Sequence, residues 1–414
     1  MYHPRPSLMK HVAKHLRLKR TLGFWSASID GIGVIVGAGI YALIGVAAGA
    51  AGPAVWLSFV IAGILALVTG LSYAELSAIF KSDAGEYDYL TKAFNKYLGI
   101  VVSAFLVLAG VVICATVALA FGGYFQTLIG INAMWFAIAL LVLVTLIALR
   151  GMSESTIVAV VLTGLSIIGL FIIIIPSIKY LGKVHLFDMP FGFSGVLQGS
   201  ALVFFAYIGF EAIVKLTEET KKPEKNIPHA IMFSIVVSTV LYILVAISAV
   251  SVLSWQQLSA SQSPLADVAG YFFGSSTFYI VAIIALVSTA NTVLIELIAI
   301  SRMLYGLAER NVLPERFGYV NPKTRTPTFS VLIVGIGSLL FLAVGSLELL
   351  AHIANFFMFA TFALVNFSVI ALRWKMKKRS KFCVNCNVFG VPVLPAFGGL
   401  MSIGMLIIVM SGLV

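Results

Sequence analysis

The stretch that decides the fold is GIGVIVGAGI, residues 31–40, in which four glycines fall within nine residues of an apolar run. Glycine weakens a helix, and the length of the apolar run places these glycines near the middle of a membrane. Non-helical backbone is tolerated at that depth only where it is buried in protein or lines a cavity. The stretch therefore predicts either a broken helix that binds a small polar solute through its backbone, or close helix packing through Gly33 and Gly37.

The composition of the whole chain places this stretch in a membrane protein. Of the 414 residues, 60% are hydrophobic and only 10% are charged, and the mean hydropathy is +1.06. Soluble domains are roughly half apolar and a quarter charged. These values exclude a water-soluble enzyme. They predict an all-α polytopic membrane protein, because the alternating strands of about ten residues that build membrane barrels do not occur in the sequence.

Apolar spans of membrane length occur about 11 times along the chain. They cover residues 25–50, 54–80, 98–127, 132–149, 156–178, 196–216, 229–253, 274–307, 328–344, 347–373 and 390–413. This predicts a basic cytoplasmic tail (1–24), transmembrane helices 1–5 (25–178), transmembrane helices 6–10 (194–373), a basic cytoplasmic loop (374–389) and transmembrane helix 11 (390–414).

The basic residues are distributed asymmetrically about these spans. With a cytoplasmic N-terminus, all 27 lysines and arginines except Lys179 and Lys183 lie on the inner side. The positive-inside rule predicts this arrangement, which explains the net charge of +11 without nucleic acid as a partner. We expect a multi-pass protein of the cell (plasma) membrane that contacts lipid, with an extracytoplasmic C-terminus if there are eleven spans.

A second interruption, FFAYIGFEA at residues 204–212, places a glycine and a carboxylate inside the sixth span. Irregular segments at corresponding positions of two five-helix halves indicate an inverted-repeat secondary transporter with its solute site near the midplane. The N-terminus of a half-helix favours an anionic group, and exposed carbonyls favour a cation or an ammonium group. A zwitterion satisfies both.

Six motifs, in the right order and spacing, resemble those of the amino acid, polyamine and organocation (APC) superfamily of permeases. They are GVIVGAGIY (33–41), GPA (52–54), YAELS (73–77), IGFE (208–211), EETKKPEKNIP (218–228) and SRMLYGLA (301–308). The resemblance covers residues 20–375. It implies a five-plus-five inverted repeat with broken helices 1 and 6, alternating access, and import or exchange of amino acids.

The resemblance also implies which backbone groups bind the substrate. Its carboxylate would meet the amides of Gly37, Ala38 and Gly39, and its ammonium group would meet three carbonyls, those of Ile35, Phe205 and Ile208.

Two residues of the sixth span bear on the substrate side chain. Phe205 would be an aromatic lid by resemblance, although plain core or lipid packing is the commoner role of a phenylalanine. Gly209, like the other small residues of the breaks, leaves room for a side chain. No unpaired carboxylate stands clearly in this pocket, so neutral amino acids are expected.

The coupling ion is left open between Na⁺ and H⁺. Some permeases of this superfamily link transport to protons through a lysine in the fifth helix, but Thr163 falls at about that position here. In the eighth span, a carbonyl and two hydroxyls resemble the sodium site of the sodium-coupled branch of the fold, to which two carbonyls of the first span would add. Neutral oxygens suit a hard monovalent cation, although such hydroxyls often bond back to their own helix. The candidate ligands of Na⁺ are Gly33, Val36, Ala285, Ser288 and Thr289.

Four carboxylates at membrane depth are proton or gate candidates, because an ionisable group there is costly unless it is paired or hydrated. Glu75 and Glu211 match glutamates of the superfamily and are expected to be gate or structural acids. Asp30 and Glu296 lie outside that pattern. They form either a proton acceptor or cation relay at the inner exit of the cation site, or ion pairs with Arg or Lys at the cytoplasmic face.

The sequence contains no phosphate-binding loop and no hydrolase motif, which argues against an ATP-driven pump and against an enzyme. No cofactor is expected apart from the coupling ion, and the oligomeric state is open. The expected function is ion-coupled symport (secondary active transport) of amino acids by a permease. The alternatives are an amino-acid exchanger or facilitator without ion coupling, and a channel-like facilitator on the same fold.

Overall fold

The computed structural model describes residues 22–80, 85–151, 156–218, 220–375, 382, 387–388 and 391–413. This part of the chain is nearly all helical. Two strands of two residues each, β1 (Asn387–Val388) and β2 (Val391–Pro392), pair in antiparallel fashion before the last helix. Most of the predicted basic tail and most of the predicted basic loop (374–389), which contains Cys383 and Cys386, lie outside the described residues.

The first group of predicted spans corresponds to six helices and one short connecting helix. They are α1 (Phe24–Ile35), α2 (Ala38–Ala51), α3 (Val55–Ile79), the connecting helix α4 (Gly85–Ala93), α5 (Lys96–Ile129), α6 (Ala133–Leu149) and α7 (Thr156–Ser177). The first span is therefore built from two helices, α1 and α2, with a break between them.

The second group begins with a helix that loses its α-helical form partway. α8 (Gly192–Val203) continues into two 3-10 segments, Phe204–Tyr207 and Phe210–Glu218. The remaining helices are α9 (Pro223–Val252), α10 (Trp255–Ala260), α11 (Pro264–Phe273), α12 (Ser275–Glu309), α13 (Thr328–Phe341), α14 (Leu347–Lys375) and α15 (Val393–Leu413).

Length and composition make this a polytopic membrane protein, as predicted. Among the described residues, eight helical segments are long and apolar enough to cross a membrane, and the longest of them contains both α2 and α3. Three shorter apolar helices, at Phe24–Ile35, Ala133–Leu149 and Thr328–Val344, fall on the remaining predicted spans. The all-α fold is confirmed, and the count of eleven crossings stays a prediction.

Local sequence signals set several helix ends. The side chain of Asn95 accepts a hydrogen bond from the Leu98 amide at 2.9 Å and so caps α5, and Asn132 caps α6 in the same way. Gly130 ends α5 in the left-handed conformation, which costs glycine little. Pro223 starts α9 at a position where the missing amide hydrogen is not needed.

The packing of the helices repeats between the two groups. α3 packs along α9, and α5 packs along α12, so helices at equivalent positions in the two groups contact each other. α3 of the first group packs on α8, and its counterpart α9 packs on α1. In the same way, α7 of the first group packs on α12, and its counterpart α14 packs on α5. If each group makes the predicted five crossings, an odd number, the second group starts on the opposite side of the membrane. The repeated packing agrees with the predicted inverted repeat.

A buried ion pair joins the two groups away from the breaks. Arg373 on α14 donates from Nε to Glu75 Oε1 at 2.7 Å and from Nη2 to Oε2 at 2.5 Å. Glu75 is 2% exposed, so its charge is compensated in place. Of the two roles expected for Glu75, the structure supports the structural one.

Candidate functional site

The first break lies between α1 and α2. α1 ends at Ile35, and Val36 has φ −78° and ψ 65°, outside the helical region. The Val36 amide still donates to Ile32 O at 2.7 Å, whereas the Gly37 amide turns back to Ile35 O at 2.8 Å. α2 then begins at Ala38 without a side-chain cap. Of the two interpretations of the glycine stretch, the broken helix is therefore realised.

The second break lies between the two 3-10 segments of the sixth span. Ile208 is extended, with ψ 134°, and Gly209 has φ +120°, a conformation that side-chain-bearing residues rarely adopt. The Gly209 amide donates to Glu211 Oε2 at 2.9 Å. The carboxylate of Glu211 thus satisfies backbone that the break exposes, which assigns it a structural contact at this site.

The two breaks touch each other. A Cβ atom at Gly39 would lie 2.5 Å from the Ala206 Cα, and one at Gly209 would lie 2.6 Å from the Val34 Cγ1. Both distances are shorter than real Cβ contacts, so only glycine permits this approach. The close packing that the glycines also suggested is therefore present, but between the breaks rather than between intact helices.

One side chain from a third helix joins the breaks. The hydroxyl of Tyr242 on α9 lies 2.7 Å from Ile35 O and 3.0 Å from Ala206 O, and Tyr242 is fully buried. Ile35 O is one of the carbonyls expected to bind the substrate ammonium group, so a hydroxyl donor already stands at that position. Sequence reasoning missed Tyr242, whose only signal was a polar atom in an apolar span.

A small cavity of about 70 Å³, the inner cavity, lies between the breaks, α7 and α12. It brings together all the residues predicted to bind substrate. They are Ile35, Gly37, Ala38, Gly39, Phe205, Ile208 and Gly209.

The N-terminus of α2 faces α12 across the inner cavity. The Ala38 amide donates to Thr292 Oγ1 at 3.3 Å, and the Thr292 hydroxyl donates to Ser288 O at 3.0 Å. The first amides of a helix have no acceptor within the helix, and the positive end of the helix dipole favours an anion. Thr292, which sequence reasoning also missed, lies four residues after Ser288 and therefore on the same face of α12.

The predicted cation ligands are only partly gathered on this cavity. Gly33, Val36 and Ser288 line it, whereas Ala285 and Thr289 are fully buried and are not among the lining residues. The Thr289 hydroxyl lies 2.7 Å from Ala285 O, so it bonds back to its own helix. A hydroxyl that donates in this way retains lone pairs that can bind a cation.

Two hydroxyl side chains of α7 complete the surroundings of these oxygens. Ser166 Oγ donates to Ser288 Oγ at 3.1 Å. Thr163 stands so close to Gly33 that a Cβ there would clash with Thr163 Oγ1. The position expected for a coupling lysine thus holds a hydroxyl beside the candidate cation site. Within the described residues, no group of three or more His, Cys, Asp or Glu could hold a metal ion.

Of the two acids that the sequence paired, one lines the inner cavity, and their action as a pair stays a prediction. Glu296 lines the inner cavity, and its Oε1 lies 2.8 Å from where a Cβ at Gly110 would stand. Asp30 is not among the described residues that line this cavity. Neutral substrates were expected because no carboxylate stood clearly in the pocket, and the position of Glu296 removes that reason.

A larger cavity of about 440 Å³, the outer cavity, lies on the other side of Tyr41. α2, α5 and the segment α10–α11 line it. The Tyr41 hydroxyl donates to Ser166 O at 2.7 Å, and the Tyr124 hydroxyl donates to Tyr41 O at 3.1 Å. These bonds hold the wall between the two cavities.

The residues on the two sides of the first break differ in exposure. Val34, which lines it, is 38% exposed, whereas Ile40 and Tyr41 are fully buried. On the other side, the segment α10–α11 lies directly on α2. A Cβ at Gly45 would clash with Leu258 O, and one at Gly49 would lie 2.9 Å from Ser259 Cβ.

One titratable group of this outer segment has a shifted pKa. Burial raises the pKa of the Asp267 carboxyl on α11 above its usual range, and the hydrogen bond that it accepts from Ser261 Oγ opposes part of this shift. The fold therefore favours the neutral form of Asp267.

Comparison with known proteins places these features in a family. The chain matches the family described as Amino acid permease over residues 22–413. A methylthioribose transporter of Bacillus subtilis (strain 168) is 31% identical over 406 residues, which cover 92% of this chain and 87% of the relative. A branched-chain amino acid permease of the same strain is 29% identical over 401 residues, 91% of this chain and 85% of the relative. Cationic amino acid transporter 1 of Arabidopsis thaliana is 28% identical over 396 residues, 89% of this chain and 66% of the relative.

Proposed function

The chain belongs to the amino acid permease family, a family of membrane transporters and not of enzymes, and from this premise we propose a specific mode of transport. It is a secondary active transporter of amino acids that works by alternating access and couples uptake to a cation gradient. Its place is the cell membrane, with the N-terminus in the cytoplasm.

The contact between the two breaks is the observation that supports an amino-acid substrate. The N-terminus of α2 offers amides for a carboxylate, and the carbonyls of Ile35 and Ala206 lie close together beneath one hydroxyl. An ammonium group has three donors and can replace that hydroxyl as the partner of both carbonyls. The names of two relatives, a branched-chain amino acid permease and a cationic amino acid transporter, agree with this substrate class.

The two cavities support alternating access. Val34, which lines the inner cavity, is exposed, while α10–α11 lies closed on α2 at the other side. Tyr41 and Tyr124 form the wall between the cavities. Movement of α10–α11 away from α2, together with closure at α1, would move the opening to the outer cavity while the site between the breaks stays in place.

The proposed coupling ion is Na⁺ at the oxygens of Gly33, Val36, Ala285, Ser288 and Thr289. In support, three of these residues line the inner cavity next to the substrate groups, so that ion and substrate share one wall. A proton is the alternative coupling ion, because the same cavity contains the carboxylate of Glu296. An exchanger without ion coupling would use the same substrate groups and neither cation site.

The test is uptake of radiolabelled amino-acid mixtures into proteoliposomes under an imposed sodium gradient or proton gradient. We expect sodium-driven uptake that is lost in the double variant Ser288→Ala/Thr289→Ala. Ser301→Ala is the matched control, because this hydroxyl lies on the same helix, is buried, and bonds back to Leu297 O at 2.7 Å away from the cavity.

Other outcomes separate the alternatives. Uptake driven by the proton gradient and insensitive to the double variant would replace sodium with a proton. Uptake that requires internal amino acid and ignores both gradients would identify an exchanger. Failure to move any amino acid under all three conditions contradicts the proposed function.

A further inference from the structure

We propose that Glu296 selects substrates whose side chain carries a positive charge, so that this transporter prefers amino acids of the lysine type. The inference rests on the proposed function, because it assumes that an amino acid binds between the breaks. It goes further by assigning the class of side chain and the residue that recognises it.

The first support is the chemistry of the cavity wall. Of the described residues that line the inner cavity, Glu296 is the one with an ionisable side chain. The rest of the wall near it is apolar or neutral and includes Ile113, Leu162 and Ile295. Glu296 is half-buried, so its electrostatic interactions are stronger than those of a fully exposed carboxylate. Among the described residues of this wall, Glu296 is therefore the side chain that can attract a positively charged solute.

The second support is the position of Glu296 along α12. Ser288, Thr292 and Glu296 are spaced four residues apart, so they lie on one face of the helix, and all three line the inner cavity. Thr292 contacts the N-terminus of α2, where the substrate carboxylate is proposed to bind. Glu296 lies one turn further toward the end of α12, about 6 Å along the axis.

That separation matches a long cationic side chain. With the substrate carboxylate at α2 and its ammonium group at the carbonyls of the breaks, the side chain extends along α12. The flexible four-carbon stem of lysine carries its ammonium group over a distance of this order. A neutral side chain of the same length would leave its terminal methyl group against the carboxylate, which disfavours the neutral substrate.

The third support is the space that holds the carboxylate. Gly110 on α5 has no side chain, and a Cβ there would clash with two side-chain atoms of Ile300 and would lie 2.8 Å from Glu296 Oε1. The carboxylate is thus lodged between α12 and α5 at the wall of the cavity. This contact with α5 restricts the positions that the carboxylate can take, as recognition of a distal positive charge requires.

The experiment compares lysine with norleucine, which has the same chain length without the terminal amine, as competitors of uptake in proteoliposomes. For the native chain we expect lysine to inhibit at a concentration at least about tenfold lower than norleucine, a difference of about 1.4 kcal/mol in binding. Glu296→Gln should bring the ratio near one, and Glu296→Asp should keep a preference for lysine. Glu315→Gln, the same change at an exposed cytoplasmic position, should leave the ratio unchanged.

The inference is overturned if the native chain prefers norleucine, or if Glu296→Gln keeps the native ratio. It is also overturned if Glu296→Gln weakens both competitors equally, because this would make the carboxylate a coupling or structural group. Should Glu296→Gln fail to fold, the thermal shift of the purified native chain with each ligand decides the matter: a larger shift with norleucine overturns the inference. In all these cases, uptake of some amino acid would still support the proposed function. If no amino acid is taken up, the proposed function itself is contradicted.

Discussion

At the scale of single residues, Tyr242 is the side chain that ties the two breaks to a neighbouring helix. Its hydroxyl serves the carbonyls of Ile35 and Ala206, which are 171 residues apart in the chain and meet only through the fold. A hydroxyl buried among carbonyls holds them in one arrangement, and an incoming ammonium group can take over its role.

Replacing Tyr242 with Phe removes the donor and leaves two buried carbonyls without it. We expect the free energy of unfolding to fall by about 1–3 kcal/mol in the absence of substrate. A saturating amino acid should recover much of this loss, because its ammonium group supplies donors to the same carbonyls. Thermal unfolding of both forms in detergent, with and without substrate, measures the effect. A loss of equal size in both conditions would show that the hydroxyl does not stand at the ammonium position.

Sequence reasoning located the backbone part of this site but not its side chains. Glycines such as Gly39 and Gly209 mark the breaks because their conformations and contacts exclude other residues. Tyr242 and Thr292 carry no such mark. Their roles depend on which faces of α9 and α12 turn toward the breaks, and in helices surrounded by apolar residues the sequence does not define those faces.

At the scale of helices, the contact between α3 and α14 is held by the ion pair of Glu75 and Arg373. Replacing Arg373 with Met leaves a buried carboxylate without its guanidinium group, and we expect a loss of about 3–5 kcal/mol in the free energy of unfolding. The double variant Glu75→Leu/Arg373→Met removes both charges and should recover most of this loss. Thermal unfolding of the two variants measures the difference. If the double variant is as unstable as the single one, the pair acts through shape and not through charge.

The outer segment α10–α11 should respond to pH through Asp267. Because the folded protein raises the pKa of this carboxyl, the native state binds the proton more tightly than the unfolded state does. Stability should therefore fall as the pH rises from the ordinary range of an aspartate through the raised pKa. Asp267→Asn keeps an acceptor for Ser261 without the charge, so it should unfold at a higher temperature than the native chain at neutral pH. The advantage should disappear in acid, and an advantage independent of pH would contradict this origin.

Most of the predicted spans agree with helix bounds within a few residues, although α9 begins six residues earlier than predicted, and the short helices were not predicted. α4, α10 and α11 are shorter than a membrane span, so a window of membrane length passes over them. The 3-10 form of Phe210–Glu218 was also unforeseen. It follows the positive φ of Gly209 and the bond from its amide to Glu211, a local arrangement that hydrophobic periodicity does not encode.

At the scale of the whole molecule, the inverted repeat was predicted from the number of apolar spans between the two irregular ones. Two irregular spans five apart imply two halves of five crossings, and the paired contacts of α3 with α8 and α9 with α1 agree with that division. The closed contact of α10–α11 with α2 could not be predicted, because it is one of several packings that the same helices allow.

The number of crossings predicts the side of the membrane on which each part of the chain lies. With eleven crossings and a cytoplasmic N-terminus, alkaline phosphatase joined after Val414 should be active, since this enzyme folds only outside the cytoplasm. The same reporter joined after Lys375, at the end of α14, should be inactive. Activity in the second fusion and none in the first would reverse the predicted orientation.

The use of backbone groups at the breaks has a consequence for how such a protein diversifies. Every residue type except proline supplies the same amide and carbonyl, so replacing Ile35 or Ala206 changes a side chain and leaves the carbonyl in place. The part of the site that binds the ammonium and carboxylate groups of the substrate is thus little affected by substitutions. A new substrate preference can arise from a single replacement on α12. Binding of the groups common to all amino acids can therefore be retained while the preference for a side chain changes.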